Sequence, residues 1–223
     1  MSGQPSQPGA LDRPPGGPVP PLPRAPRRDA VQNYPRVLEA AREVFGASGA
    51  DASIEEIAAR AGVGVGTVYR RFANKDALVD ELVRLSMAEA LEEARQALAC
   101  SGGDGLERFL RGLGALFTAH AKYAHLLLER SVSGAESREI REAVQELTSR
   151  ALAAGTLNPG VTVGDVMSLV WGMRGLTETT DEVAPGTWQR FLDIHLAGLR
   201  APGPLSATPS MSPGQLAELL PRP

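Results

Sequence analysis

Cysteine is almost missing from this chain: Cys100 is the only one in 223 residues. A single thiol cannot close an internal disulfide, so nothing in the sequence calls for an oxidising compartment. Histidine is nearly as scarce, and the three present, His120, His125 and His195, form no metal-ligand spacing with Cys100. No stretch approaches about 18 uninterrupted apolar residues, and the N-terminus lacks the apolar centre of a signal peptide. Neither a membrane span nor secretion is expected, which leaves the cytoplasm. The signatures of common catalysts, G-x-S-x-G, H-E-x-x-H and C-x-x-C, do not occur. Gly62, Gly64 and Gly66 faintly suggest a phosphate-binding loop, but a third glycine at the G-x-G-x-x-G spacing is absent and they follow a helical pattern instead of a strand. Catalysis is therefore the remote reading, and no metal or cofactor is expected.

What is present suits a globular chain: 43% hydrophobic and 22% charged residues, at a length that can bury a real core. The formal net charge is -3, but residues 1–75 sum to +3 and residues 76–223 to -6, so the basic excess sits at the front. Ordinary fluctuation along a long chain is the competing explanation. Residues 1–28 hold nine prolines and four glycines, and residues 201–223 hold six prolines. Segments of this composition cannot bury enough apolar surface to fold, so tails at 1–29 and 201–223 are expected to be disordered.

Between the tails the apolar spacing is helical and no period-2 strand is convincing. A first helix is expected from near Tyr34 to Ala47, with Pro35 in its first turn, where a missing N–H does no harm. A long helix should run from Lys75 to Cys100, broken by Ser101-Gly102-Gly103-Asp104-Gly105. Further helices are expected over Leu106–His120, Tyr123–Arg130, Arg138–Ala154, Val163–Glu182 and Thr187–Leu199.

Ile54 to Phe72, IEEIAARAGVGVGTVYRRF, is the most informative stretch. Ser53 and Glu56 have the spacing of a capping box, which starts a helix at Ile54. Ile54, Ile57, Ala58 and Ala61 form an inward apolar stripe, and Gly62 can take the positive φ that closes a helix. A second helix from Val65 carries Thr67, Tyr69, Arg70 and Arg71, groups suited to phosphates and base edges. Two helices joined by so short a turn make a helix-turn-helix, whose second helix enters the major groove of DNA.

At these residues the sequence resembles the TetR family of bacterial transcriptional regulators. The likeness runs from about Ala30 to about Ala90 and includes Leu38, Ala41, Val44 and Phe45, the loop Gly49-Ala50-Asp51, and the junction Phe72-Ala73-Asn74-Lys75-Asp76-Ala77-Leu78. Two positions depart from the family pattern. Gly64 stands where serine is frequent, removing a side-chain cap and phosphate contact, and Val65 stands where a polar residue is frequent, leaving only apolar contact, as to a thymine methyl.

The resemblance implies an all-α fold: a three-helix DNA-binding head at about 30–90, with the helix-turn-helix at 53–72, and a helical effector-binding and dimerisation domain at about 91–200. It implies a sequence-specific regulator, a homodimer binding an inverted-repeat operator in double-stranded DNA and released by a small-molecule effector, with repression as the default. A ligand-independent regulator or an activator is the alternative. Arg70 is the first choice for base readout, since a guanidinium pairs bidentately with guanine. Val65, Gly66 and Thr67 lie at the helix start, near base and backbone alike. Tyr69 and Lys75 match family positions that grip phosphates, and packing within the head is the competing role for Tyr69. Arg71 could do either or pair with an acid of its own domain. Arg27 and Arg28, with Arg24, could form an arm reaching into a minor groove, or be solvated tail residues.

Candidate lining for an effector pocket is Phe109, Leu113, Leu116, Phe117, Tyr123, Leu127 and Trp171, with His120 as a polar contact; ordinary core is the competing role for each. The family's four-helix dimer interface would draw on Val166, Leu169, Val170, Met173 and Leu176, then Trp188, Phe191, Leu192, His195 and Leu199. Burial in the chain's own core is the competing reading for these stripes. A composition rich in Ala, Arg, Gly and Pro is compatible with a high-GC bacterial genome.

Overall fold

The computed structural model describes residues 26–124 and 135–219. Among them lie nine α-helices and no strand: α1 (Pro26–Ser48), α2 (Ile54–Ala61), α3 (Val65–Tyr69), α4 (Lys75–Leu98), α5 (Gly105–His120), α6 (Ala135–Ala153), α7 (Val163–Thr180), α8 (Thr187–Arg200) and α9 (Pro213–Leu219). Short 3-10 turns follow α1 (Gly49–Asp51) and α5 (Ala121–Tyr123). None of the described helices is long and apolar enough to cross a membrane.

The apolar side chains separate into two cores. In the head, Val37, Leu38, Ala41 and Phe45 of α1 meet Ile57, Ala58 and Ala61 of α2, Val68 of α3, and Leu78, Val79 and Leu82 of α4. In the rear, Ala90, Ala94 and Ala97 of α4 pack with Phe109 and Leu110 of α5, Val144 and Leu147 of α6, Val166 and Met173 of α7, and Leu192 and Leu196 of α8. One helix, α4, thus contributes its first half to one core and its second half to the other. Helices α5 and α8 approach closely: a Cβ at Gly114 would run into the Trp188 ring.

Three sequence expectations need correction. Helix α1 begins at Pro26, not near Tyr34, so Pro35 lies inside it. It is exposed there, and it removes one i→i−4 hydrogen bond from the helix. The expected helix Tyr123–Arg130 lies mostly outside the described residues, and Tyr123 itself closes a 3-10 turn. The segment after α8, expected to be disordered, has a defined course. The Asn158 amide, itself buried, donates to the carbonyls of Ala201 and Gly203, each at 2.7 Å. Further on, Ser212 and Gln215 cap α9 reciprocally: the Gln215 N–H donates to Ser212 Oγ (3.2 Å) and the Ser212 N–H to Gln215 Oε1 (3.0 Å). Proline content had concealed that S-x-x-Q capping box.

A charged chain ties α1 to α4 on the outer side of the head. The Tyr34 hydroxyl donates to Glu81, and Arg84 donates to the same carboxylate from Nε and Nη2, each at 2.8 Å. Chiefly through Arg84, the Glu81 carboxyl is held down at about 2. Since the folded value lies below the unfolded one of about 4.3, the contribution is present above that pH and lost as pH falls towards the folded value. In chemical denaturation, the stability difference between the native chain and Glu81→Gln should therefore be greatest above about pH 5 and shrink steadily below about pH 4. A difference that stays constant on acidification would deny the linkage.

Candidate nucleic-acid interface and effector pocket

The capping box expected from Ser53 and Glu56 is formed: the Glu56 N–H donates to Ser53 Oγ (3.2 Å) and the Ser53 N–H to the Glu56 carboxylate (2.9 Å). Gly62 closes α2 at φ +65°, in the left-handed region a side chain would resist. Gly64 precedes α3 with no side-chain cap, as its missing hydroxyl requires. The helix is only five residues long, but the N–H groups of Arg70 and Phe72 continue its turn by donating to Gly66 and Val68 carbonyls. Buried Val68 and Phe72, four residues apart, pin it to the head core. That anchoring fixes what faces out. Gly66, Tyr69 and Arg70 are exposed, with 47% of Tyr69 accessible, while Val65 and Thr67 are half-buried.

Arg70 Nη2 donates to Thr67 Oγ1 at 3.0 Å, which lays the guanidinium along the outer face of α3. Arg71 points elsewhere: its guanidinium sits 4.8 Å from the centre of the Tyr34 ring, which stacks on Phe72. This cation–π contact orients Arg71 towards α1, where its charge also helps to lower the Glu81 carboxyl, an acid of its own domain. Lys75 opens α4, where the preceding Asn74 side chain accepts from the Ala77 N–H at 2.8 Å. The asparagine of the N-K-D-A-L junction is thus a helix cap. Arg27 and Arg28 fall in the first turn of α1, so they do not belong to an extended arm. Arg24 lies outside the described residues.

Behind the head, a cavity of about 50 Å³ opens between α4, α5 and α7. Leu113, Leu116, Phe117 and His120 line it as the sequence suggested, joined by Ser86, Met87 and Ala90 of α4, Ala124, and Arg174 and Glu178 of α7. Phe109 instead lies wholly inside the rear core, Tyr123 in the head core, and half-buried Trp171 away from the cavity. Leu127 lies outside the described residues. Ser86 had a legible signal, because it interrupts the apolar row of Leu82 and Ala90 at four-residue spacing. A second, open cleft of about 860 Å³ lies between α6, the start of α7 and the segment around α9.

The first cavity adjoins a polar junction between head and rear. His120 Nε2 lies 2.9 Å from the Glu89 carboxylate, whose other oxygen is 3.8 Å from Arg42 of α1. Burial pushes the His120 imidazole below its ordinary value, outweighing the upward pull of Glu89. The neutral ring is therefore a hydrogen-bond donor to Glu89, not a full ion-pair partner. Ser86 Oγ, Tyr123 OH and Arg42 Nε are buried together here, where the Tyr123 hydroxyl interacts with both Ser86 and Arg42.

The residues expected at a dimer interface are largely claimed by the chain's own core. Val166, Leu169, Val170, Met173, Trp188 and Leu192 are all buried within it, because the most apolar stripe of each helix packs inward first. Leu176, Phe191 and Leu199 are half-buried and His195 is exposed. The outward face of α7 and α8 holds Ser168, Gly172, Gly175 and Thr179 opposite Ile194, His195 and Gly198. Ile194 is 57% exposed, and nothing lies within 4 Å of where a Cβ at Gly175 or Gly198 would sit.

Comparison with known proteins agrees with both halves of this architecture. Residues 37–82 match the family description of bacterial regulatory proteins of the tetR family, and residues 101–201 match the C-terminal domain of SbtR-like transcriptional regulators. Among solved structures, a TetR transcriptional regulator from Streptomyces coelicolor is 30% identical, the match covering 76% of this chain and 99% of that one, with a TM-score of 0.56. A TetR regulatory protein from Mycobacterium vanbaalenii is also 30% identical, covering 78% and 99% at a TM-score of 0.56. A TetR family regulator from Thermus thermophilus shares the fold at 19% identity, covering 74% and 100% with a TM-score of 0.62. No curated protein matches the chain. The chain belongs to the TetR family of transcriptional regulators and binds DNA through its helix-turn-helix.

Proposed function

We propose that the protein is a cytoplasmic, ligand-responsive homodimeric repressor that recognises an inverted-repeat operator. The observation that carries DNA reading is the outward face of α3, where Val68 and Phe72 hold the helix down and leave Gly66, Tyr69 and Arg70 exposed. Arg70, steered by Thr67, takes base readout; Val65, Gly66 and Thr67 sit at the helix start near base and backbone; and Tyr69 and Lys75 grip phosphates. A symmetric pair of such heads spaced about one turn of DNA reads an inverted repeat.

Dimerisation is assigned to the outward face of α7 and α8. The glycines at 175 and 198 let a second pair of helices come close, and Ile194 and Phe191, whose ring packs on Gly172, supply apolar area. The effector role rests on the α4–α5–α7 cavity and on its contact with the junction to the head. The small volume of that cavity, about 50 Å³, favours a second reading, a regulator that answers to no ligand. The mostly apolar lining, Met87, Ala90, Leu113, Leu116 and Phe117, favours the first.

Selection of bound sequences from a random DNA pool, at near-physiological salt, tests the reading directly: it should enrich an inverted repeat. On that operator, Arg70→Ala should weaken specific binding by about 1–3 kcal/mol and relax preference at one position per half-site. An unchanged preference rules out Arg70 as the reader. Sedimentation should show Ile194→Glu shifted from dimer to monomer, with operator affinity falling alongside. A variant that stays dimeric removes this face from the interface.

A further inference from the structure

We propose that Arg71 is a positioning residue for the reading helix and not a DNA contact: laid over Tyr34, it fixes how the end of α3 sits against α1. This rests on the base-readout role proposed above for Arg70 and adds the residue that sets where Arg70 points.

The two adjacent arginines divide because successive residues of a helix point about 100° apart. The N–H groups of Arg71 and Phe72 both donate to the Val68 carbonyl at 2.9 Å, so both residues continue the turn of α3. Arg70 lies along the outer face, bonded to Thr67. Arg71, one position on, comes to rest 4.8 Å from the centre of the Tyr34 ring. The same ring stacks on Phe72, with centroids 6.4 Å apart and 22° between the planes. Its hydroxyl is engaged in turn by Glu81 of α4, which Arg84 also holds. One ring carried by α1 is thus gripped from the end of α3 and from α4.

That grip supplies what the packing of α3 lacks. The helix packs on α2, and its buried anchors, Val68 and Phe72, lie four residues apart on a single stripe. Two points on one line fix the depth of a helix but leave it free to roll about that line. A third point off the line stops the roll, and Arg71 over Tyr34 is such a point. Roll matters to the reader because paired hydrogen bonds to a base edge weaken steeply as their angles open. The Glu81 carboxylate adds to the hold, since the Arg71 charge is among those that keep it low. A guanidinium swung out to a DNA phosphate would forfeit both the ring and this carboxylate.

A double-mutant cycle between Arg71→Gln and Tyr34→Leu tests the assignment in the full-length chain. Each variant is titrated over a range of salt with a duplex carrying the enriched repeat, or with a mixed-sequence duplex if none is enriched. Arg71→Gln, at an exposed position, should weaken binding on the order of two- to fivefold, the worth of an exposed cation–π contact. It should relax preference at the base pair that Arg70 reads, leave the salt slope nearly unchanged, and cost nothing further once Tyr34→Leu has removed the ring. In a Tyr34→Phe chain, which keeps the ring, its cost should be undiminished. A phosphate contact gives the opposite pattern and overturns the proposal: the slope falls by about 0.9 per head, and the cost persists without the ring. Unchanged affinity overturns it too, as does a loss that merely tracks the folded fraction, with preference and slope intact. If Tyr34→Leu fails to fold, the salt slope of Arg71→Gln still decides. Arg70→Ala, run alongside, keeps the two readings apart. Unchanged preference in that variant removes Arg70 as the reader, while the cycle still judges Arg71.

Discussion

Everything in this chain depends on α4 being common to two hydrophobic cores. Leu78, Val79 and Leu82 lock its first half to the reading head, and Ala90, Ala94 and Ala97 lock its second half to the rear. A helix is stiff along its axis because each turn is bonded to the next, so displacement at one end carries to the other. Neither core can shift along this helix without the other feeling it. The position of α3, and with it the exposed Arg70, is therefore conditional on how the rear domain packs.

The polar groups concentrate where the two cores meet. Ser86 and Glu89 occupy the turn of α4 between the apolar halves, facing Arg42 from α1 and His120 at the end of α5. Tyr123, three residues after His120, inserts into the head core although it follows a rear-domain helix. Leaving one buried donor or acceptor unmade costs about 1–3 kcal/mol, and the hydroxyls of Ser86 and Tyr123 and the Arg42 Nε cluster here with only one another to meet. A junction optimised only for stability would be apolar. This one instead holds a buried polar network that spans the head and rear cores, from Arg42 through Glu89 to His120.

Local chemistry was legible in the sequence where a few adjacent residues determine the outcome. Ser53 with Glu56, and Gly62, specify the start and end of α2 through backbone hydrogen bonds made within one turn, and the structure has them. Asn74 as the cap of α4 belongs to the same class. Long-range arrangement was less legible. Helical periodicity says that Leu113, Leu116 and Phe117 share a side of α5, but not that Phe109 on that side is sealed in the core while the other three reach the cavity. Arg71 was recognisable as a cation, yet its seat over Tyr34 depends on α1 crossing at that height. Proline-rich composition misled at the C-terminal end, because buried Asn158 anchors the segment after α8, while residues 1–25 lie outside the described residues.

The last two long helices show how a correct pattern can yield the wrong face. In α7 and α8 the strongest apolar stripe, from Val166 to Met173 and from Trp188 to Leu196, is spent on the chain's own core. What remains outside is a weaker stripe built from glycines, Phe191 and Ile194, invisible to a search for large hydrophobic residues. In the proposed dimer α7 serves both ends of the mechanism: Arg174 and Glu178 border the cavity, and Gly172 and Gly175 lie on the face assigned to the partner. Arg174, bonded to Glu178 and to the Ala124 carbonyl, thus joins the cavity wall to the helix that carries the proposed partner face.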